Sequence, residues 1–169
     1  DLSRDITERI RAMRPPKLAV QDSPTQSPID ESGNNIALPP DFAKLACAWN
    51  SGTATHDCDI SSGYDAPSSQ AAGSQVLANA DMVNWLNLVR STLPLGVALV
   101  CRDNSPEDGT AALDPSDSDY ASTTGCLLPD DIKDSAYQRA PYVVKIWWQD
   151  IKPSKDNPTP ALTRFTTSF

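Results

Sequence analysis

Leu2, Ile6, Ile10 and Met13 recur at spacings of four, four and three, which lines one face of a helix. Asp5 and Arg9 add an acid-to-base pair one turn apart, and Pro15 and Pro16 stop the helix. Residues 15–41 are rich in Pro, Ser, Asp and Asn, and they read as a long surface loop. Phe42 to Trp49 is a short apolar piece of helix or strand around Cys47. Residues 50–75 turn Ser-, Gly- and Asp-rich again. A second helix is expected from about Val76 to Thr92. Val76, Ala80, Val83 and Leu86 share one face, flanked by Met82, Trp85 and Val89. Pro94 and Gly96 end it, and Gly96 to Arg102 reads as a buried strand.

Residues 103–134 form a second irregular stretch, carrying nine acidic residues and Cys126. The strongest strand pattern follows, from Tyr142 to Gln149. Tyr142, Val144, Ile146 and Trp148 make a fully apolar face, and Val143, Lys145, Trp147 and Gln149 make a mixed one. After a turn region at 150–160, residues 161–169 read as a last strand. There Leu162 and Arg164 oppose Thr163, Phe165 and Thr167. Strands gathered late, after helices, predict an α+β fold with an antiparallel sheet. No repeat at a period of 20–50 residues is present.

Composition sharpens this picture. The 169 residues suit a single domain. Leu, Ile, Val and Phe together make just under 20% of them, close to disordered composition, and 15 are Pro. So small a core implies cross-links, and four cysteines can supply two. Four cysteines allow three pairings. Partners adjacent in sequence, Cys47–Cys58 and Cys101–Cys126, are favoured because each would close a loop poor in apolar residues. Chain entropy assigns about 3 kcal/mol to the first and about 3.5 kcal/mol to the second. Bridged cysteines imply an oxidising compartment; four free thiols in the cytosol are the alternative. The net charge of −8 argues against nucleic acid or an anionic membrane surface as the main partner. The charge is uneven: residues 1–17 carry +2 and the remainder −10.

Candidate chemistry is sparse. His56 is the single histidine. It lies inside the loop that a Cys47–Cys58 bridge would close, where an exposed loop histidine is the plain reading. No Gly-x-Ser-x-Gly elbow accompanies it, no Cys-x-x-Cys pair is present, and the seven glycines form no phosphate loop. In the acidic stretch, Asp103, Ser105, Glu107 and Asp114 fall at positions 1, 3, 5 and 12 of a calcium loop. Gly109 sits one position late for that loop, and no helices flank it. A solvated acidic loop is the competing reading. No catalytic residue and no cofactor is expected.

Three segments together resemble a family. Asp5-Ile-Thr-Glu8-Arg9-Ile10-Arg11-Ala12-Met13 resembles the end of the long N-terminal helix of the type IV pilus modification proteins, the PilV minor pilins. Asp81-Met-Val-Asn-Trp85 with Leu93-Pro94-Leu-Gly96 is similar to that family's second helix and its exit into the sheet. Tyr142 to Trp148 followed by Asp150 is similar to its late strand. The matches run in the family's order, cover about a fifth of the residues and span most of the chain. The family's basic leader, processing site and apolar helix half do not occur. The chain also begins without methionine, and its first helix has a stop but no start. A cut inside the family's long helix is the expectation that joins these facts.

The resemblance implies a pilin fold over residues 1–169: a helical spine on an antiparallel sheet of about four strands, with long disulfide-braced loops. Residues 1–14 would be the remainder of the spine, 15–75 a loop region, and 76–169 the second helix and sheet. The implied role is non-catalytic, a minor pilin at or near the fibre tip. Its partners would be other minor pilins, a tip adhesin and the major pilin. It would sit in the inner membrane through the missing helix before assembly and in the extracellular pilus afterwards. Leu2, Ile6, Ile10 and Met13 are expected to face the sheet, leaving Arg4, Arg11 and Arg14 toward partners. The alternatives are a minor pseudopilin of type II secretion, a secreted hydrolase with a buried acid–base pair, and a secreted ligand-binding module that exposes Trp147 or Trp49.

Overall fold

Asp1 caps the first helix, α1 (Leu2–Ala12), by accepting a hydrogen bond from Ser3 N at 3.2 Å. The computed structural model describes residues 1–13, 42–60, 72–113, 115, 117–128, 137, 139–158 and 160–169. Arg14, Asp114 and the loop expected over 15–41 lie outside them.

A turn of 3₁₀ helix at Phe42–Lys44 leads into β1 (Leu45–Asn50), which pairs antiparallel with β2 (Thr55–Ile60). Helix α2 (Ala72–Thr92) then crosses to β3 (Val97–Arg102). A single helical turn, α3 (Tyr120–Thr124), interrupts the acidic stretch before β4 (Tyr142–Trp148) and β5 (Thr163–Ser168). The second sheet has the order β3-β4-β5 and is antiparallel throughout. The α+β class holds. The expected single sheet of about four strands is instead five strands in two sheets among the described residues. β2 accounts for the difference. Its outward side is polar, with Asp57 and Asp59 exposed, its inward side carries His56 and Cys58, and its single aliphatic residue is Ile60 at the strand's end.

The stripe that α2 buries also differs from expectation. Ala78, Met82, Trp85, Leu86 and Val89 are buried, while Val76 and Ala80 are exposed. Spacings of four, three and four bring Met82 and Trp85, the largest side chains of the segment, to the centre of the inner face. Apolar residues lie around much of α2, so periodicity alone leaves its orientation open.

Helix α1 lies against α2. Trp85 Nε1 donates to Leu2 O at 2.7 Å, and Arg9 Nη1 meets Asp81 Oδ1 at 2.6 Å. The predicted pair within α1 is also present, with Arg9 Nε 3.2 Å from Asp5 Oδ2. Ile6 and Ile10 are buried, with Leu2 and Met13 half-buried beside them. Their cluster takes in the inner side of α2 together with Val100, Tyr142, Val144 and Ile146 of the sheet. The other face of the sheet carries a separate cluster of Leu99, Cys101, Val143 and Trp147 with Tyr120 and Cys126. Strand β4 is therefore buried on both faces, and the acidic segment after β3 forms the second cover.

Candidate functional site

The cover is held by charge. Lys145 projects from the middle of β4 with no exposed surface, and its Nζ lies 2.6 Å from Asp103 Oδ2 and 2.9 Å from Asp108 Oδ1. The same ammonium donates to the backbone carbonyls of Asp108 and Thr124, each at 2.9 Å. One buried cation thus ties both ends of the segment to the sheet. Asp103 Oδ1 accepts from Ser105 N at 2.7 Å, and Asp108 Oδ2 from Ser105 Oγ at 2.7 Å. Burial alone would raise the Asp108 pKa. Hydrogen bonds from Lys145 and Ser105, with the charges of Lys145 and Arg164, outweigh that and hold it below the ordinary carboxylate value.

Arg164 on β5 is the second clamp. It donates through Nη1 to Gly109 O at 2.5 Å and through Nη2 to Glu107 O. Thr166 Oγ1 donates to Glu107 Oε1 at 3.1 Å. Two glycines make the close fit possible. Gly109 has φ 91° and Gly125 φ 72°. A Cβ on Gly125 would stand 1.7 Å from Asp108 Oδ1, and one on Gly109 would stand 2.1 Å from Thr124 O. The Cys101–Cys126 bridge closes the segment, with both cysteines buried.

This arrangement accounts for the calcium candidates. Asp103 is spent on the Lys145 ammonium inside the core, so it is not a solvent-facing ligand. Glu107 takes its hydrogen bond from Thr166, and Asp114 lies outside the described residues. Among those residues no group of three or more His, Cys, Asp or Glu side chains gathers at a metal-sized site.

The second bridge, Cys47–Cys58, joins directly opposed residues of β1 and β2, with Cα atoms 4.1 Å apart. Beside it, His56 is buried on β2, which corrects the reading of an exposed loop residue. Its backbone N donates to Asn87 Oδ1 at 3.0 Å, and its Nδ1 lies 2.8 Å from the same oxygen. Trp49 packs edge-on to the His56 ring, and the Arg90 guanidinium covers Trp49 at 3.9 Å. His56 therefore serves packing between the hairpin and α2. Of the tryptophans named for a ligand-binding module, Trp147 is buried, and Trp49 is partly exposed beneath Arg90.

The outward side of α1 is polar. Arg4 and Glu8 are exposed and pair at 2.7 Å. Arg11 is exposed and lies 5.6 Å over the ring of Phe169 at the chain's C-terminal end. Arg4 and Arg11 are thus on one solvent-facing surface. Among the described residues no helix is long and apolar enough to cross a membrane.

Lys145 and Arg164 organise the cover, and neither was singled out by sequence pattern. A lone Lys in a strand looks like a solvated position, and its partners lie 42 and 37 residues upstream. The period-2 alignment of β4 puts Lys145 on one face with Val143 and Trp147, and that apolar company is the available signal. No family model, curated protein or solved structure matches the chain.

Proposed function

We propose that this chain is the globular part of a minor pilin, a non-catalytic structural subunit of the type IV pilus that works at or near the fibre tip. The reading rests on the resemblance of the three sequence segments. The observation that supports it best is the division of α1 into two faces. One face is fixed to the body by the Trp85–Leu2 hydrogen bond and the Arg9–Asp81 ion pair. The other offers Arg4, Glu8 and Arg11 to a neighbour.

A subunit of a fibre needs a spine that does not move against its body, and a helix docked by its own side chains supplies one. It also needs surfaces that survive outside the cell. The two disulfides and the Lys145 clamp stiffen polar segments that could not fold on apolar burial alone. The proposed partners are other minor pilins, with a tip adhesin and the major pilin beyond them. The domain would face the periplasm before assembly and the exterior afterwards. Removing the gene from its source organism tests the role. Surface fibres counted by electron microscopy should fall sharply and return on complementation; an unchanged count would overturn it.

A further inference from the structure

We propose that the groove between β1 and β3 takes up an extended, apolar segment of a partner protein as an added strand, with a carboxylate at the Trp49 end. Both strands turn an open edge to this groove. Asp103 N donates to Pro141 O, and Tyr142 O accepts from Phe169 N. In the β3–β4 register, Leu99 and Cys101 therefore bond to β4, while Ala98 and Val100 direct their N–H and C=O away from it. Arg102 O is met on that outer side by Leu127 N; Ala98 and Val100 meet no backbone partner there among the described residues. On β2, His56 N donates to Asn87 Oδ1 and Cys58 O accepts from Asn79 Nδ2. Those groups point away from β1, so the opposed Trp49 and Cys47 turn theirs away from β2. β1 and β3 form no ladder with each other.

The space between the edges measures about 310 Å³, with Leu45, Cys47 and Trp49 on one side and residues 97–100 on the other. Leu45 and Val100 are buried, so water has little access to the open backbone groups beside them. One extended backbone offers N–H and C=O groups to both edges at once and would join the two sheets. A helix spends those groups on itself. Side chains of the added strand would alternate between two apolar walls. Met82 and Leu86 of α2 form one, and Leu113 and Tyr120 of the acidic cover form the other. Charge sets the remaining preference. Arg90 lines the groove, is exposed over the Trp49 ring and has no ion pair among the described residues. It is the one permanently charged side chain of the lining, so it favours an acidic residue at that end.

The inference does not rest on the pilus reading, because peptide binding is measured on the isolated chain. An array of hexapeptides built from Val, Ala, Ser and Thr, with Asp or Lys at either end, is screened against it. Val- and Ala-rich peptides ending in Asp should bind severalfold more tightly than their Lys counterparts. Arg90→Glu, a change at an exposed position, should reverse that preference. In the complex, hydrogen exchange should slow at the amides of Cys47, Ala98 and Val100. It should stay unchanged at Thr166, whose N–H lies on the outer edge of β5. Three results would overturn the proposal. One is an array with no binder. The second is slowed exchange at Thr166 with Cys47, Ala98 and Val100 unaffected. The third is a preference for Asp over Lys that Arg90→Glu leaves unchanged.

Discussion

Lys145 Nζ and Asp103 Oδ2 meet at 2.6 Å with 0% and 1% of their side chains exposed. A buried pair of this kind gains little over apolar packing, but removing one partner strands the other charge. Lys145→Met should therefore destabilise the domain by about 3–5 kcal/mol. Asp103→Leu combined with Lys145→Met should recover part of that loss, because neither charge is then left alone. Urea unfolding of the two single variants and the double variant measures the coupling. Additive losses would show that the pair is not a unit.

Asp108 adds a pH dependence whose sign is fixed by its lowered pKa. In the folded state its carboxylate is favoured, so its contribution is complete above the ordinary value of 3.8. It fades as pH falls through the still lower folded value. Asp108→Asn should thus melt below the wild type near neutral pH, and the gap should close in strong acid. Melting curves across pH 2–7 (about five units, wide enough to bracket an Asp titration) would show it. A gap that widens in acid would contradict the assignment.

Gly125 stands where a Cβ would collide with Asp108, in a left-handed conformation. Gly125→Ala should cost about 1–3 kcal/mol from backbone strain alone. It should also loosen the Lys145–Asp108 contact, so the pH dependence of Asp108 should weaken in the same variant. Retention of both the stability and that pH profile would show that the cover tolerates a side chain here.

The two disulfides differ in access. Cys101 and Cys126 are buried, while Cys47 and Cys58 are half-buried on a hairpin. Exchange requires a thiolate to reach a sulfur, so mild reduction of the folded protein should open Cys47–Cys58 first. Alkylation followed by peptide mass spectrometry gives the order.

Strands β3 and β4 were legible because their apolar runs are bounded by Gly96, Pro94 and Pro141, and because Tyr142 to Trp148 alternates cleanly. The cysteine pairing was legible from loop content. β2 was not, because its alternating pattern interleaves Asp57 and Asp59 with His56 and Cys58 and has a single aliphatic residue, Ile60, at its end. The buried face of α2 is not legible because apolar residues surround it, and its neighbours α1, β2 and β3 select Met82 and Trp85. The cover was hidden for a different reason. Its acidic residues suggested solvent or calcium, and the cation that neutralises them comes from a strand far along the chain. Local pattern carries secondary structure well, but it does not carry long-range charge pairing.

The outward face of α1 yields the interaction prediction. Arg4→Glu with Arg11→Glu should weaken co-purification with a sister minor pilin severalfold, with little change in melting temperature, since exposed pairs add little stability. Undiminished co-purification would remove α1's charge from the interface.

The proposed function makes this domain part of a pilus fibre. Immunogold electron microscopy of fibres sheared from the source organism tests it most directly, with antibody raised against the folded domain. Label should sit at or near one end of the fibres and vanish in a strain lacking the gene. Fibres that are intact and never labelled, with the protein recovered only away from them, would contradict the account.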